Sequence, residues 1–213
     1  MTKTEFIWRL IVFYIGIAVL SLGIVLIIKA NLGVSAWDVL HIGLYRTFGL
    51  TVGTWSQIAG LIIIIVTMFI YRHVVSIGTI LNMIFIGWFI DLFIYLLPDF
   101  EQLYLQIAAL IIGILIMGFG AGVYIAANIG TGPRDSLMMA LTIKYGWKVS
   151  VVKTIMELLA IIAGWLLGGP VFVGTVVAAF LIGPTIAAAL KICLKFLNPF
   201  FDRYKRKDLN SEV

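Results

Sequence analysis

Six apolar stretches, each long enough to cross a lipid bilayer, constrain this chain more than any other feature. They cover residues 7–28, 55–71, 74–97, 104–127, 150–167 and 171–194. A helix needs about 20 apolar residues to span a hydrocarbon core ~30 Å thick. Backbone inside that core must satisfy its own hydrogen bonds, which leaves helices or closed barrels. Long apolar runs without strand-like alternation read as helices. With 62% hydrophobic and only 12% charged residues among 213, the chain could not cover a soluble core. Disordered and nucleic-acid-binding classes are excluded on the same ground. Cys193 is the sole cysteine, so no intrachain disulfide forms. The first stretch exceeds the usual length of a signal-peptide core and lacks an A-x-A-like site, so it reads as an uncleaved helix.

Charge distribution orients the spans. With the N-terminus inside, 15 Lys and Arg residues divide so that only Lys29 and Arg46 lie outside. The outer loop of residues 98–101 carries acids and no base. This satisfies the positive-inside rule and places both termini in the cytoplasm. The net charge of +5 is therefore an expression of topology. Residues 198–213 read as a basic cytoplasmic tail.

The chain also repeats itself. Gly16, Gly23, Asn31, Gly33, Asp38, Leu44, Gly49 and Val52 recur 97 residues later as Gly113, Gly120, Asn128, Gly130, Asp135, Leu141, Gly146 and Val149. After a one-residue deletion, Gly78, Thr79 and Gly87 recur as Gly174, Thr175 and Gly183. Matches of Asn, Asp and Gly in register are costly coincidences in so apolar a chain. Two repeats follow, 1–100 and 101–197, with three spans each, in one membrane domain. Because three is odd, the copies enter from opposite sides, the inverted arrangement common among secondary transporters. If the short helices described next also crossed, the repeats would be parallel instead.

Each repeat carries a loop and a short helix after its first span. The first motif runs Asn31-Leu32-Gly33-Val34-Ser35-Ala36-Trp37-Asp38, the second Asn128-Ile129-Gly130-Thr131-Gly132-Pro133-Arg134-Asp135-Ser136. Gly33 and Gly130 suit a helix C′ position with φ > 0. Ser35 and Asp38 have capping-box spacing, and Pro133 suits the N1 position. The helices then cover 35–47 and 133–145, about 18 Å each at 1.5 Å per residue. Neither reaches across the bilayer, so both read as broken helices, re-entrant or interfacial. A half-helix N-terminus offers free N–H groups and a positive dipole end to a solute. Asn31, Ser35, Asp38, Asn128, Arg134, Asp135 and Ser136 are the candidate substrate- or ion-binding residues. The alternative for the two aspartates is capping of their own helices.

These two motifs, with the glycine-rich fourth span between them, carry a resemblance. The chain is similar to the YczE/YyaS/YitT family of bacterial integral membrane proteins, most of all its YczE-like branch, from Ile7 to about Leu194. The most specific stretch is Gly130-Thr131-Gly132-Pro133-Arg134-Asp135. The resemblance implies a multi-pass protein of the bacterial cytoplasmic membrane, and it carries over no functional residues.

Ionisable groups at membrane depth cost about 2.5–3.5 kcal/mol each on translocon scales, so each one needs a reason. Glu157 follows Lys153 by one helical turn in the fifth span, and Asp91 lies toward the outer end of the third. Both are candidates for proton coupling. The alternatives are a neutralised Lys153–Glu157 bridge and a hydrated Asp91. Asn82 and Gln57 read as polar glue between helices. Gly113, Gly118, Gly120 and Gly122 crowd the fourth span, and Gly16 and Gly23 mark one face of the first, so these two spans are expected to meet. The spacing of Gly164 and Gly168 suggests the same packing role in the fifth.

His41 and His73 lie far apart and make no metal-binding spacing, so no metal or other cofactor is expected. Hydrolase, zinc-protease and P-loop motifs are absent from the sequence, so no enzymatic activity is expected. The leading expectation is a small-solute secondary transporter or channel whose partners are the bilayer, a small-molecule or ion substrate, and a second copy of the chain. The alternative is a non-transporting membrane scaffold or regulator of a partner enzyme or transporter.

Overall fold

The computed structural model describes residues 1–71 and 75–211. Arg72 and His73 lie outside the described residues, as do the side chains of Lys3 and of 203–211. The described chain forms α1 (Lys3–Lys29), α2 (Ala36–Phe48), α3 (Val52–Tyr71), α4 (Ile77–Leu96), α5 (Leu103–Ala126), α6 (Pro133–Tyr145), α7 (Val149–Leu166) and α8 (Val173–Ser211), with no strand among the described residues. Six of these helices are long and apolar enough to cross a membrane. The exceptions are α2 and α6, 13 residues each, or about 20 Å.

The centre of the molecule is the seam between α1 and α5, the most enclosed of the six long helices. Glycines make it possible. A methyl group on Gly16 would lie 2.4 Å from the Tyr124 backbone nitrogen, and one on Gly23 would lie 2.3 Å from that of Met117. The same holds in reverse, with Gly120 against Leu20 and Gly113 against Ile27. Each step up α1 is a step down α5, so the two helices run antiparallel. Exchanging every residue for its repeat counterpart turns the Gly16–Tyr124 contact into Gly113–Ile27, and Gly23–Met117 into Gly120–Leu20. In lipid no hydrophobic force drives helices together, so this close backbone approach is what association rests on.

Around the seam, α4 packs on α1 and α8 on α5. On α5 the spacing of Gly118 and Gly122 admits Thr185 and Ala189 of α8. The short helices cross between halves, α2 lying on α7 and α6 on α3. Gly164 receives the backbone of Val39 and Leu40, whereas Gly168 has a φ of +81° and open space around it. Gly168 is thus a helix-terminating glycine and has no part in packing.

The ends of α1 and α5 depart from expectation. The left-handed C′ residues are Asn31 (φ 54°) and Asn128 (φ 55°), one position past the Ala30 and Ala127 caps. Asparagine's short polar side chain tolerates this conformation. Gly130 has no positive φ; it is small because Gly78 and the Ser76 hydroxyl crowd it. Gly33 does have a positive φ, +108°, but two residues beyond the C′ position, where Thr175 leaves no room for a Cβ. The start of α8 clasps the turn before α2: Gly174 N–H donates to the Leu32 carbonyl at 2.7 Å, and Val34 N–H to Thr175 Oγ1 at 3.2 Å.

From Asn198 onward the chain continues as α8, and its aromatic residues return to α1. Phe200 meets Trp8 edge-on at 5.6 Å, and the fully buried Phe201 lies under the Arg9 guanidinium at 4.2 Å. Arg9 also pairs with Glu5 and donates to the Ala127 carbonyl at 3.1 Å, satisfying the end of α5.

Candidate functional site

The N-terminal ends of α2 and α6 converge on a cavity of about 160 Å³ beside the α1–α5 seam. Neither Ser35 nor Gly132, the two N-cap residues, makes a side-chain capping bond. The expected capping box is not formed, because the Ser35 hydroxyl donates to Asp38 Oδ2 and does not accept from the backbone. That bond turns the Asp38 carboxylate into a lining group of the cavity. Pro133 takes the N1 position of α6 as expected.

Asp38 and His41 of α2 face Arg134 and Asp135 of α6 across the cavity, with Ser56 of α3, Asn82 of α4 and Tyr124 of α5 completing the polar part of its wall. Leu20, Ile24, Ile63, Ile86 and Met117 make the rest apolar. Gly132 marks how tightly the polar groups gather. A methyl group there would lie 3.2 Å from Asn82 Oδ1, 3.7 Å from Asp135 Oδ2 and 3.8 Å from the Tyr124 hydroxyl. Tyr124 donates to Asp135 Oδ2 at 3.4 Å. The Arg134 guanidinium stacks on the Trp37 ring at 4.5 Å. Among the described residues it forms no ion pair with either aspartate. His41 Nδ1 lies 3.6 Å from Asp38 Oδ1, beyond hydrogen-bonding distance.

Two buried side chains at the cavity have polar atoms with no partner: both ring nitrogens of His41 and Nδ2 of Asn82, each residue 1% exposed. A buried polar atom without a bond costs about 1–3 kcal/mol. Electrostatics follow from enclosure. Burial is the first cause that raises the Asp135 carboxyl above its ordinary value; Arg134, the Tyr124 hydroxyl, Lys153 and the Gly132 backbone oppose it. Burial lowers the His41 imidazole, against Asp38, and so favours the neutral ring. Burial also works against the charge on Arg134, which Asp38 and then Asp135 support.

Of the residues expected from sequence, the structure brings Asp38, Arg134 and Asp135 together, with Ser35 behind Asp38. Ser136 is fully buried one step away, hydrogen-bonded to Thr131 at 3.0 Å and to Thr79 at 3.5 Å, where it ties α6 to α4. Asn31 and Asn128 are exposed helix ends, because their φ angles are what the turns require. Glu157 lies outside the cavity wall, 3.8 Å from Lys153. Asp91 holds the start of α3, accepting from Gly53 N–H at 2.8 Å and from the Thr51 hydroxyl at 2.6 Å. It borders a separate recess of about 710 Å³ lined also by Lys29, Arg46 and Asp99.

Four polar lining residues were not expected: His41, Ser56, Asn82 and Tyr124. His41 carried a readable signal, since it stands three residues after Asp38 and shares its helix face. Ser56, Asn82 and Tyr124 carried none, because they come from long apolar helices and enter the site only through packing.

The chain matches the Family of unknown function (DUF6198) over residues 7–191. The chain belongs to this family. It is 41% identical over 197 residues to the uncharacterized membrane protein YczE of Bacillus subtilis (strain 168), covering 92% of each chain. It is 28% identical over 172 residues to the uncharacterized protein YyaS of the same organism, covering 79% of this chain and 86% of that one. An uncharacterized protein of Haemophilus influenzae is 31% identical over 180 residues, covering 83% and 81%. No solved structure matches the chain. The family range takes in α2, α6 and every residue of the cavity wall. With six apolar helices and a relative named as a membrane protein, this is an integral, multi-pass membrane protein.

Proposed function

We propose that the protein is a secondary transporter for a small solute, built as two inverted copies of a three-span unit around the cavity between α2 and α6. The observation that carries this reading is the meeting of two short-helix N-termini at one cavity that gathers several polar side chains, the arrangement by which transporters hold substrate near the bilayer midplane. Symmetry supports it. Trp37 and Arg134 are counterparts in the sequence repeat, and they touch each other. Counterpart residues in contact lie close to the axis relating the two halves. The antiparallel α1–α5 seam supports an axis lying in the membrane plane, which is what inversion requires. Alternating access would then expose the central site by rocking the long helices around it.

Proton flux in proteoliposomes containing the purified protein, screened against amines, organic anions and metal ions, tests the reading. Solute-dependent proton movement in the wild type that disappears in Asp135→Asn is the expected result. Folded, inserted protein that stays silent across the panel would sink it.

A further inference from the structure

The cavity has an odd charge. Two carboxylates, Asp38 and Asp135, share it with one guanidinium, Arg134, while burial works against a charge on His41. The nearest further charges, Lys153 and Glu157 on α7, cancel each other at 3.8 Å. The other polar groups facing Asp135 are neutral: Tyr124 from α5, Ser56 from α3 and Asn82 from α4. With both aspartates ionised, the site therefore holds one negative charge in excess. An isolated charge in a medium of low dielectric is unfavourable, so the site is completed either by a proton on a carboxylate or by a cation.

The wall also says what kind of cation. An alkali or divalent metal ion needs a shell of about six or more oxygens, and no cluster of His, Cys, Asp and Glu suited to a metal exists among the described residues. Half of the wall is instead aliphatic. A cavity near 150 Å³ accommodates a molecule of about six heavy atoms. Asn82 Nδ2 is a buried donor without a hydrogen-bonding partner, and it calls for an acceptor on the ligand. An ammonium group alone, having only donors, would leave Asn82 unsatisfied.

Resting on the transporter reading above, we propose that the cavity binds a small organic ammonium ion bearing one acceptor oxygen, in exchange for a proton on Asp135. The ammonium group donates to the Asp135 carboxylate, and the oxygen accepts from Asn82 Nδ2. As each cation enters, the Asp135 carboxyl O–H bond breaks and its proton passes to solvent water, so the charge of the site stays constant. The burial that disfavours a bare Asp135 carboxylate makes the two occupants competitors.

Calorimetric titration of the purified full-length protein in detergent tests this with ethanolamine. Propylamine serves as a probe of equal charge and heavy-atom count without the oxygen, and acetate as an anion. Ethanolamine should bind, with affinity weakening about tenfold per unit of pH on the acid side of the Asp135 titration. Titrations in two buffers of different ionisation heat should count about one proton released per cation bound. Propylamine should bind about tenfold more weakly, the equivalent of one lost hydrogen bond, and Asn82→Leu should erase that difference. Asp135→Asn should abolish the pH slope. No ethanolamine binding, binding independent of pH, or acetate bound in its place would overturn the proposal. Binding with the expected slope, but without flux in proteoliposomes, would support this site and overturn transport.

Discussion

Gly87 and Gly183 hold the same position in the two halves of the chain, yet they meet different surroundings. At Gly87 an added methyl group would lie 2.5 Å from the Gly53 carbonyl oxygen and 2.5 Å from Gln57, because α3 and α4 are pressed together there. At Gly183 the nearest atom would be the Lys153 amino nitrogen at 3.6 Å. The α3–α4 seam is closed, held also by Asp91 at the start of α3, while α7 and α8 form no comparable seam. The short helices differ as well. Both put an aspartate in their first turn, but α2 adds Trp37 and His41, whereas α6 adds Arg134 after a proline. The two halves share in-register residues, and differences at a few positions give those residues different surroundings.

The sharpest way to break this comparison is to give both glycines a methyl group. Gly87→Ala should destabilise the protein by about 1–3 kcal/mol, the usual cost of overpacking against backbone. Gly183→Ala should cost clearly less, within about 1 kcal/mol, because no neighbouring helix crowds it and the gain of a better helix former offsets the Pro184 ring that follows. Thermal unfolding of both variants in the same detergent checks this. Equal losses would show that the two seams are equally closed in the bilayer protein.

A second test separates the two aspartates. Because the folded-state value of Asp135 is raised, the native protein binds more protons than the unfolded chain in the window just above the ordinary carboxylate range. Stability from this group therefore falls as pH rises through that window, and the ionised carboxylate remains a cost above it. Asp135→Asn should raise the thermal midpoint at neutral pH, with the gain vanishing on acidification. Asp38→Asn, which weakens the bond from the Ser35 hydroxyl, should give no such gain. The smallest effect belongs to Trp37→Ala. It removes the ring beneath Arg134 and should cost about 0.5–2 kcal/mol, the range of a cation–π contact between exposed and desolvated settings.

The spans, the two short helices and the repeat were legible in the sequence because each is written locally or by periodic return. Helix ends were read to within a few residues except at the end of α8, which runs on to Ser211 where the sixth stretch was read to Leu194, and the short helices observed at 36–48 and 133–145 differ from expectation by one position at each end of the first. Glycine as the left-handed helix terminator was a local rule that failed at the ends of α1 and α5, while it held at Gly49, Gly146 and Gly168. Asparagine met the same requirement, freeing Gly130 to serve a close approach. The expected meeting of the first and fourth spans is the α1–α5 seam, legible because glycines spaced along one helix face have few other uses in lipid.

The sequence by itself determined an all-helical, six-span membrane protein with two duplicated short helices, because apolar length, positive-inside bias and in-register Asn, Asp and Gly matches need no tertiary information. It also marked Asp38, Arg134 and Asp135 as residues requiring an explanation, since charge in so apolar a chain is expensive wherever the chain folds. Only the tertiary structure decided that these three share one cavity, that Tyr124 and Asn82 join them, and that Asn31, Asn128 and Asp91 serve helix ends. The physical reason is that the cavity draws its wall from α1 through α6 and from α8. Which faces of those helices meet is settled by how closely glycine seams let them approach, a property of pairs of helices that no single stretch of sequence contains.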